Sequence, residues 1–235
     1  AIEAGMLNCA LVTGRGKRAI ADHFDISYEL EHQIAGSEKE QYLESIRDVI
    51  DRGVFTMVRQ RAMLGLGHAI LTGEPLIGDQ PFGVVLSDDL CLNDSGLGVL
   101  AQMAALYEEF QCSIVAVQEV PMADIEQYGV VAGAPEREGL TRVTAMVEKP
   151  PREEAPSNLA VIGRYILTPD IFDIIRNTSP GRNGEVQLTD ALQVQASQGR
   201  VLAYQFQGQR FDCGSVPGFV EATQHVYEHY YGRDK

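Results

Sequence analysis

The sequence Phe82-Gly83-Val84-Val85-Leu86-Ser87-Asp88-Asp89 joins a short apolar run to two acidic residues. A run of this length predicts a buried strand, of the kind that lies in the centre of a parallel sheet. In open α/β sheets, ligands bind beyond the carboxyl ends of the strands. Asp88 is therefore either a ligand of a Mg²⁺ ion that substrate phosphates share, or a residue that caps the following loop.

Strands and helices alternate on both sides of this run. Apolar and alternating stretches predict further strands at 7–12, 53–58, 113–120, 161–167 and 201–207. Helical spacing and cap residues predict helices at 17–24, 38–52, 67–74, 97–110, 168–177, 186–198 and 215–231. This order predicts an α/β fold with a mostly parallel central sheet flanked by helices. Segment 120–167 holds more strands with shorter links, which predicts a small antiparallel subregion.

Length and composition restrict the class of protein. The chain has 235 residues, 45% hydrophobic and 22% charged, which is ordinary for a folded domain, and we expect one domain over residues 1–235. The formal charge of −14 argues against nucleic-acid binding, because neutralising phosphates needs a basic face. No apolar run reaches the roughly 20 residues that span a bilayer, so we expect no membrane segment.

Cysteines and histidines give no sign of a metal site in the sequence. The four cysteines lie far apart and form no C-x-x-C pair: Cys9, Cys91, Cys112 and Cys213. This spacing predicts reduced thiols in a cytoplasmic protein rather than disulfides or a zinc site. Three histidines show no metal-ligand spacing and are interpreted as structural: His23, His68 and His225.

Two glycine-containing segments lie near the start of the chain. Ala1-Ile2-Glu3-Ala4-Gly5 has the composition of a helix end capped by glycine. Thr13-Gly14-Arg15-Gly16-Lys17 follows the first predicted strand. Glycines in that position can cradle a phosphate, but the spacing of a P-loop and the third glycine of G-x-G-x-x-G are both missing. We interpret this second segment as a plain turn between a strand and a helix.

The loop from Gln60 to Gly67 is more informative. The Gln60 side chain carries an amide donor and acceptor that can read the edge of a base. A glycine such as Gly65 lets a flat ring approach the backbone. A glycine-rich loop without a ligand is the alternative.

Three further charged residues lie at the ends of predicted elements, one before the last helix and two at the end of a strand candidate at 142–148. Asp212 precedes the last helix and is either its N-cap or a second metal ligand. Glu148 can accept hydrogen bonds from sugar hydroxyls, and Lys149 is a point charge suited to phosphate. An ordinary surface pair is the alternative for these two. No Ser-His-Asp arrangement or G-x-S-x-G motif supports a hydrolase triad.

The order of these motifs is more specific than any one of them. Together they resemble the bacterial UTP–glucose-1-phosphate uridylyltransferases over nearly the whole chain. The matching motifs, in chain order, are His23-Phe24-Asp25, Tyr28-Glu29-Leu30-Glu31, Gln60 with Gly65-Leu66-Gly67-His68-Ala69, Asp88, Tyr128-Gly129-Val130-Val131, Val147-Glu148-Lys149-Pro150, Ser157-Asn158-Leu159-Ala160-Val161-Ile162-Gly163-Arg164-Tyr165, Glu185-Val186-Gln187-Leu188-Thr189-Asp190-Ala191 and Asp212-Cys213-Gly214.

The resemblance implies a Rossmann-like nucleotidyltransferase fold and an enzyme that makes UDP-glucose and pyrophosphate from UTP and glucose 1-phosphate. It also implies Mg²⁺ as the cofactor and a homodimer or homotetramer. By resemblance, Gln60 and Gly65 contact uracil. The metal ligands are Asp88 and Asp212, and the catalytic residues are Asp88 and Lys149, which neutralises the sugar phosphate. Three residues would line the glucose: Gly129, Glu148 and Val161.

Two features depart from the family pattern. The first strand of the family, its G-x-G-T-R loop and a K-x-x-P-K-E stretch are absent, so we expect the domain to lack its first βα unit, with Ala1–Gly5 as the end of that unit's helix. The family usually has Gly after the Gln and Lys before the Gly, where this chain has Arg61 and Leu64. The loss of that Lys could alter substrate affinity.

Two other functions remain open from the sequence. One is a thymidylyltransferase of similar fold, against which the Ser157–Tyr165 and Glu185–Ala191 motifs argue. The other is a catalytically silent relative that regulates a partner. A silent copy has no chemical reason to keep both Asp88 and Asp212, which argues against it.

Overall fold

The computed structural model describes residues 1–181 and 184–232. The chain divides into two compact units, the first comprising residues 1–80 and 172–188 and the second comprising residues 81–171 and 189–235. Residues 182–183 and 233–235 lie outside the described residues, so the single domain expected over residues 1–235 stays a prediction.

Helices and strands alternate along most of the described chain. The strands are β1 (Asn8–Thr13), β2 (Val54–Arg59), β3 (Phe82–Val85), β4 (Asp89–Leu92), β5 (Ser113–Glu119), β6 (Gly129–Arg137), β7 (Leu140–Glu148), β8 (Leu159–Leu167), β9 (Val201–Gln205) and β10 (Gln209–Asp212). The α-helices are α1 (Arg18–Phe24), α2 (Tyr28–Ile34), α3 (Glu40–Asp51), α4 (Gly65–Ile77), α5 (Val99–Phe110), α6 (Ile171–Asn177), α7 (Leu188–Ser197) and α8 (Val216–Val226). A 3₁₀ turn at Ile2–Ala4 ends at Gly5, whose φ of 79° confirms the predicted glycine cap.

The first unit is built on the parallel pair of β1 and β2. The two strands pair in register from Asn8 opposite Val54 to Thr13 opposite Arg59. The aromatic ring of Phe24, at the end of α1, stacks on Phe55 of β2 with 4.5 Å between ring centroids. This arrangement brings the carboxyl ends of β1 and β2 to the same edge, where the loop that begins at Gln60 leaves the sheet.

The second unit is built on a six-stranded sheet in the order β3-β8-β5-β9-β7-β6. Its strand β5 has the sequence SIVAVQE, and Ile114, Val115 and Val117 are at most 1% exposed. A strand that is apolar on both faces suits a place between neighbours, and β5 pairs with β8 on one side and with β9 on the other. These side chains belong to the apolar core of the unit.

A separate two-stranded antiparallel sheet pairs β4 with β10. Its register places Asp212 opposite Asp89, and the backbone N–H of Cys213 donates to the carbonyl of Asp88 at 2.7 Å. Neither strand is predicted from the sequence. Their pairing nevertheless decides where the acids at 88, 89 and 212 lie.

The predicted α/β fold, with a mixed sheet, flanking helices and a small antiparallel sheet, is confirmed. The parallel pairs among the described strands are β1–β2 and β5–β9, so the sheets are less parallel than predicted. A two-residue turn, for example, joins β6 and β7, and so short a link permits only antiparallel pairing.

The predicted place of the strand at 82–87 in the centre of a parallel sheet is wrong for the described residues. Strand β3 lies at the end of the six-stranded order and pairs with β8 in the antiparallel sense. An apolar run indicates that a strand is buried, but it carries no information about the direction of its partner. Separately, the described chain contains no helix with the length and apolar character that crossing a membrane requires.

A buried polar network fixes α7 against the six-stranded sheet. The side chain of Gln195 is fully buried, and its carbonyl accepts a hydrogen bond from the Ser113 hydroxyl at 2.7 Å. Its amide nitrogen donates to Thr168 at 2.9 Å and to the Asp170 carboxylate at 3.1 Å. Asp170 also forms an ion pair with Arg200 at 2.8 Å. Both ends of the buried amide are therefore satisfied, as a buried polar group requires.

Replacing Gln195 with Met should lower the free energy of unfolding by about 1–3 kcal/mol, because a similar volume is kept while buried partners lose their hydrogen bonds. Urea denaturation followed by circular dichroism measures this difference. The matched control is Gln198→Met, an exposed position, where the change should stay within about 0.5 kcal/mol. Equal denaturation midpoints for the two variants would show that the network contributes nothing to stability.

Candidate active site

The two predicted metal ligands come together in the second unit. A Cβ atom built on Gly214 would lie 3.1 Å from Oδ1 of Asp212 and 3.6 Å from Oδ2 of Asp88. One point beside Gly214 is thus within reach of a carboxylate from each acid. Asp88 follows β3, and Asp212 ends β10, so the pairing of β4 with β10 creates this proximity.

The structure also decides between the roles left open for these acids. The N-cap of α8 is Ser215, whose side chain accepts from the N–H of Gly218, so Asp212 is not the cap. Asp88 is exposed, and its carboxylate makes no hydrogen bond or ion pair within the described residues, so it caps no loop there. Asp212 accepts from the N–H of Gly214 at 3.0 Å. The pair is therefore open to a ligand.

Oxygen donors of this kind fit Mg²⁺. The ion prefers carboxylate oxygens and is usually held by one or two carboxylates, with waters and substrate phosphates as its other ligands. Asp88 and Asp212 supply two such carboxylates around one small cradle beside Gly214, where any side chain would take up the space. The residues present thus suit Mg²⁺ bound together with phosphate.

The neighbouring acid, Asp89, has a structural task that sequence reasoning missed. It is 8% exposed, and its two carboxylate oxygens accept from Nε of Arg210 at 2.5 Å and from the N–H of Gly163 at 2.9 Å. Arg210 also donates to the hydroxyl of Tyr128 at 3.2 Å and lies 3.8 Å from Oδ2 of Asp212. Arg210 therefore joins the acid pair to the segment that leads into β6. Adjacent acids give no sequence signal of which one is buried.

The three residues predicted to line a sugar also come together in the second unit. A Cβ built on Gly129 would lie 3.2 Å from Oε2 of Glu148 and 3.7 Å from Cγ2 of Val161. The register of β6 and β7 places Gly129 opposite Glu148. A fourth residue, Thr189, donates a hydrogen bond to Oε2 of Glu148 at 2.6 Å. Thr189 lies in the motif Glu185–Ala191, and its place in that motif is the sequence feature that could have identified it as a site residue.

Lys149 has an unusual backbone conformation beside this cluster. Its φ of 46° lies in the left-handed region, where a residue other than glycine costs roughly 1 kcal/mol or more. Its N–H donates to the carbonyl of Tyr128 at 3.0 Å, and its Nζ lies 4.0 Å from Oε1 of Glu148. The side chain is half exposed, so the ammonium remains available to a ligand. Such backbone outliers concentrate at functional sites.

Tyr165 connects the acids with the sugar cluster. Its ring is buried, and burial raises the pKa of its phenol, with further increases from the charges of Glu148, Asp89 and Asp88. The phenol therefore stays neutral at physiological pH. Strand β8 carries both Val161 of the sugar cluster and Gly163, whose N–H donates to Asp89 next to Asp88, so the acids and the sugar cluster lie in one region of the second unit.

The predicted nucleotide-binding residues form a separate group in the first unit. The amide nitrogen of Gln60 donates to the carbonyl of Gly65 at 3.2 Å and to Nδ1 of His68 at 2.9 Å. Its carbonyl oxygen has no hydrogen-bond partner within the described residues. His68, interpreted as structural, thus helps to orient Gln60. The sequence does not predict this contact, because two residues eight positions apart across a loop are not related by helix or strand periodicity.

The glycine loop that carries Gly65 is tied to the segment before α7. Gly65 has a φ of 90°, and a Cβ there would lie 2.8 Å from the carbonyl of Val186, so both conformation and space favour glycine. The N–H of Gly67 donates to the same carbonyl at 3.0 Å, and the N–H of Val186 donates to the carbonyl of Leu64 at 2.8 Å. The Leu64 side chain is exposed and leaves these bonds intact. Farther back, Gly14 to Lys17 forms a turn between β1 and α1.

The chain is similar to a known protein family and to characterised relatives. A family model described as nucleotidyl transferase matches residues 29–229. A UTP–glucose-1-phosphate uridylyltransferase of Pseudomonas aeruginosa is 62% identical over 235 residues, which is all of this chain and 84% of the relative.

Two solved structures are also similar. A crystal structure of UDP-glucose pyrophosphorylase complexed with UDP-glucose is 53% identical, with a TM-score of 0.90 over 97% of this chain and 83% of that chain. A UTP-bound UGPase from Acinetobacter baumannii is 36% identical, with a TM-score of 0.83 over 98% of this chain and 80% of that chain. From the match to the family model and the identity along its whole length, the chain belongs to the nucleotidyl transferase family and, within it, to the UTP–glucose-1-phosphate uridylyltransferases.

Proposed function

We propose that this chain makes UDP-glucose and pyrophosphate from UTP and glucose 1-phosphate. The observation that carries the proposal is the presence, in one region of the second unit, of an open acid pair and a cluster suited to a sugar. The relatives support the choice of substrates, since solved structures of similar proteins hold UDP-glucose and UTP.

The reaction needs positioning rather than proton transfer. A phosphate oxygen of glucose 1-phosphate attacks the α-phosphorus of UTP in line, and the bond from that phosphorus to pyrophosphate breaks. The attacking oxygen is already ionised near neutral pH, so no side chain has to act as a general base. The task of the protein is to align two polyanions and to stabilise the charge that develops.

Asp88 and Asp212 would hold Mg²⁺ in this reaction. When bound, the ion would neutralise phosphate charge and help to orient the attacking and leaving oxygens. The contribution of the chain is to keep the two carboxylates beside Gly214, and the antiparallel pairing of β4 with β10 supports that role. Asp88 is catalytic in this sense, because its free carboxylate is available to the reacting phosphates through the metal.

The cluster of Gly129, Glu148, Val161 and Thr189 would bind the glucose ring. Glu148 can accept hydrogen bonds from two sugar hydroxyls, and the Thr189 hydroxyl fixes the orientation of one of its oxygens. Gly129 leaves room above Glu148, and Val161 offers an apolar surface for the ring. Lys149 follows directly, so its ammonium would neutralise the phosphate attached to that sugar.

The group around Gln60 would bind uracil. The unpartnered carbonyl of Gln60 can accept a hydrogen bond from the N3–H of uracil, a donor that cytosine lacks. The hydrogen bonds from its amide nitrogen to Gly65 and His68 hold the carbonyl in place. Gly65 would contact the base through its backbone, because Val186 fills the space where a side chain would lie. These features support discrimination among pyrimidine nucleotides.

We also propose a homodimer or homotetramer that acts in the cytoplasm. Large apolar side chains are exposed on α8, including Val216 at 80% and Phe219 at 60%, and such patches are typical of protein interfaces. Free thiols support a reducing compartment, and the cysteines at 9, 91, 112 and 213 are unpaired.

The full-length protein should release pyrophosphate faster from UTP with glucose 1-phosphate than from dTTP under the same conditions. The reason is that the motifs of the sugar and nucleotide groups match the uridylyltransferases rather than the thymidylyltransferases. A coupled pyrophosphate-release assay measures both rates. Faster turnover of dTTP would contradict the proposal, and no turnover of either would favour a silent regulatory protein.

The adjacent acids should respond differently to substitution. Asp88→Asn should lower kcat by at least about 100-fold through loss of metal-assisted charge stabilisation, with an unchanged unfolding temperature because its carboxylate has no protein partner. Asp89→Ala should instead lower the free energy of unfolding by about 3 kcal/mol, because Arg210 loses its buried partner. The measurements are the pyrophosphate assay and thermal unfolding. Unchanged activity in Asp88→Asn would overturn the metal assignment.

Lys149→Ala should raise the KM for glucose 1-phosphate by about tenfold or more while the KM for UTP stays nearly constant, because one charge on the sugar phosphate is no longer neutralised. Since φ at this position is 46°, a backbone effect has to be separated from loss of the charge. Lys149→Gly provides that control, because it accepts this conformation without strain and also lacks the ammonium. Equal losses for both substrates, or normal activity in Lys149→Gly, would refute the role in sugar phosphate binding.

A further inference from the structure

Three potential metal ligands meet on the second unit, none of them among the residues proposed to bind substrate: Asp94, His225 and His229. Oδ2 of Asp94 lies 3.2 Å from Nε2 of His225 and 3.9 Å from Nε2 of His229. One ligand atom from each of the three residues lies within 4.8 Å of the other two. Asp94 follows β4, and the histidines lie on α8 and the π-helical turn Tyr227–Tyr231 that continues it.

These separations suit a small tetrahedral ion. Ligand atoms at the Zn–N and Zn–O distances of roughly 2.0–2.1 Å are about 3.3–3.4 Å apart on a tetrahedron. The two distances from Asp94 lie on either side of that range, so small side-chain rotations would complete the geometry. The Asp94 carboxylate and the His229 ring are both more than one-third exposed, which leaves room for these rotations and for a water as the fourth ligand.

Neighbouring groups already orient the ligands. Nδ1 of His229 lies 3.0 Å from the carbonyl of His225 and can only donate to it, which leaves Nε2 as the nitrogen available to a metal ion. The hydroxyl of Tyr230 donates to Oδ1 of Asp94 at 3.2 Å, which directs Oδ2 toward the histidines. The Phe211 ring packs against His225 with 5.0 Å between centroids. Hydrogen bonds of this type, from and to the ligands, are characteristic of protein metal sites.

The local backbone supports the same reading. The two histidines are four residues apart and so lie on one face of the helix. Their rings now stack with centroids 4.0 Å apart, and they would rotate out of this stack to bind one ion. The turn from Tyr227 to Tyr231 is π-helical, a rare conformation that is frequent at functional sites. The interpretation of His225 as structural considered spacing along the chain alone, whereas Asp94 is 131 residues away in sequence.

We propose that Asp94, His225 and His229 form a binding site for Zn²⁺. Two imidazole nitrogens and one carboxylate suit borderline ions such as Zn²⁺, whereas Mg²⁺ prefers oxygen ligands alone. The bound ion would fasten the end of the C-terminal helix to the loop that follows β4, one of the two strands that hold the proposed Mg²⁺ acids in place. The site does not depend on the proposed reaction.

The test uses metal-free full-length protein and Zn²⁺ in the presence of excess Mg²⁺, which occupies oxygen-only sites. Calorimetry should show one equivalent of Zn²⁺ bound to each chain. The chain has five histidines, and two-dimensional NMR of their imidazole nitrogens reports on each. Zn²⁺ should shift the signals of His225 and His229, while those of His23, His32 and His68 stay in place as internal controls.

Substitutions then separate this site from other possible ones. His229→Gln and Asp94→Ala change partly exposed residues and should each weaken binding by at least about 100-fold and abolish the rise in unfolding temperature that Zn²⁺ produces. Tyr230→Phe removes the hydroxyl that donates to Asp94, so about a tenfold loss is expected. His32→Gln is the matched surface control, and Asp88→Asn controls for the Mg²⁺ acids. Both should bind Zn²⁺ normally.

Several results would overturn the proposal. Absence of bound Zn²⁺ would show that the three residues form only a hydrogen-bonded cluster. Zn²⁺ affinities of His229→Gln and Asp94→Ala that equal the affinity of the wild type would place the ion elsewhere. Co²⁺ as a spectroscopic substitute distinguishes thiolate ligands, because these add near-ultraviolet charge-transfer bands. Such bands in the wild type would show that cysteines bind the metal, which would contradict binding at this site.

Discussion

The buried ion pair between Asp89 and Arg210 is the interaction on which the proposed active site depends. Both side chains are about one-tenth exposed, so each charge is stable only while the other is present. Asp89 also receives the N–H of Gly163 from β8, and Arg210 reaches Tyr128 at the start of the sugar-binding segment. One charge pair thus ties together β4, β10, β8 and the entry to β6. Asp88 and Asp212 lie next to the two residues of this pair, and their own carboxylates are accessible to solvent.

Much of the site could be predicted from the sequence, because its residues lie in short motifs at the ends of strands. Glu148 follows an apolar run, and Gly65 begins a helix, so the neighbouring residues in the sequence predict where each lies. The direction of β3 and the task of Arg210 could not be predicted, since both depend on partners more than 75 residues away. Thr189 lay inside a motif whose chemistry the sequence left unassigned. Local pattern predicts an element and its ends, whereas the neighbours of that element are decided by long-range packing.

A formal charge of −14 and a reaction between two polyanions set opposing electrostatic demands. The proposed site meets them locally rather than through the whole surface. The charge of Arg210 is largely neutralised by Asp89. Lys149 is the exposed cation beside the sugar cluster and can neutralise a substrate phosphate. Substrate affinity should therefore depend strongly on divalent cation and on salt, since acidic surroundings disfavour free phosphates.

The 121 residues that separate Asp89 from Arg210 have a consequence for synthesis. Translation of that interval takes roughly 6–24 s, so for this time the nascent chain carries Asp88 and Asp89 without Arg210 or Asp212. Asp89 must stay hydrated until its partner leaves the ribosome, which delays closure of β4 against its neighbours. Chains that terminate early lack both the ion pair and the second metal acid. The arrangement makes the chemical competence of the protein depend on synthesis through Asp212, and products that end before this residue should be unable to consume nucleotide.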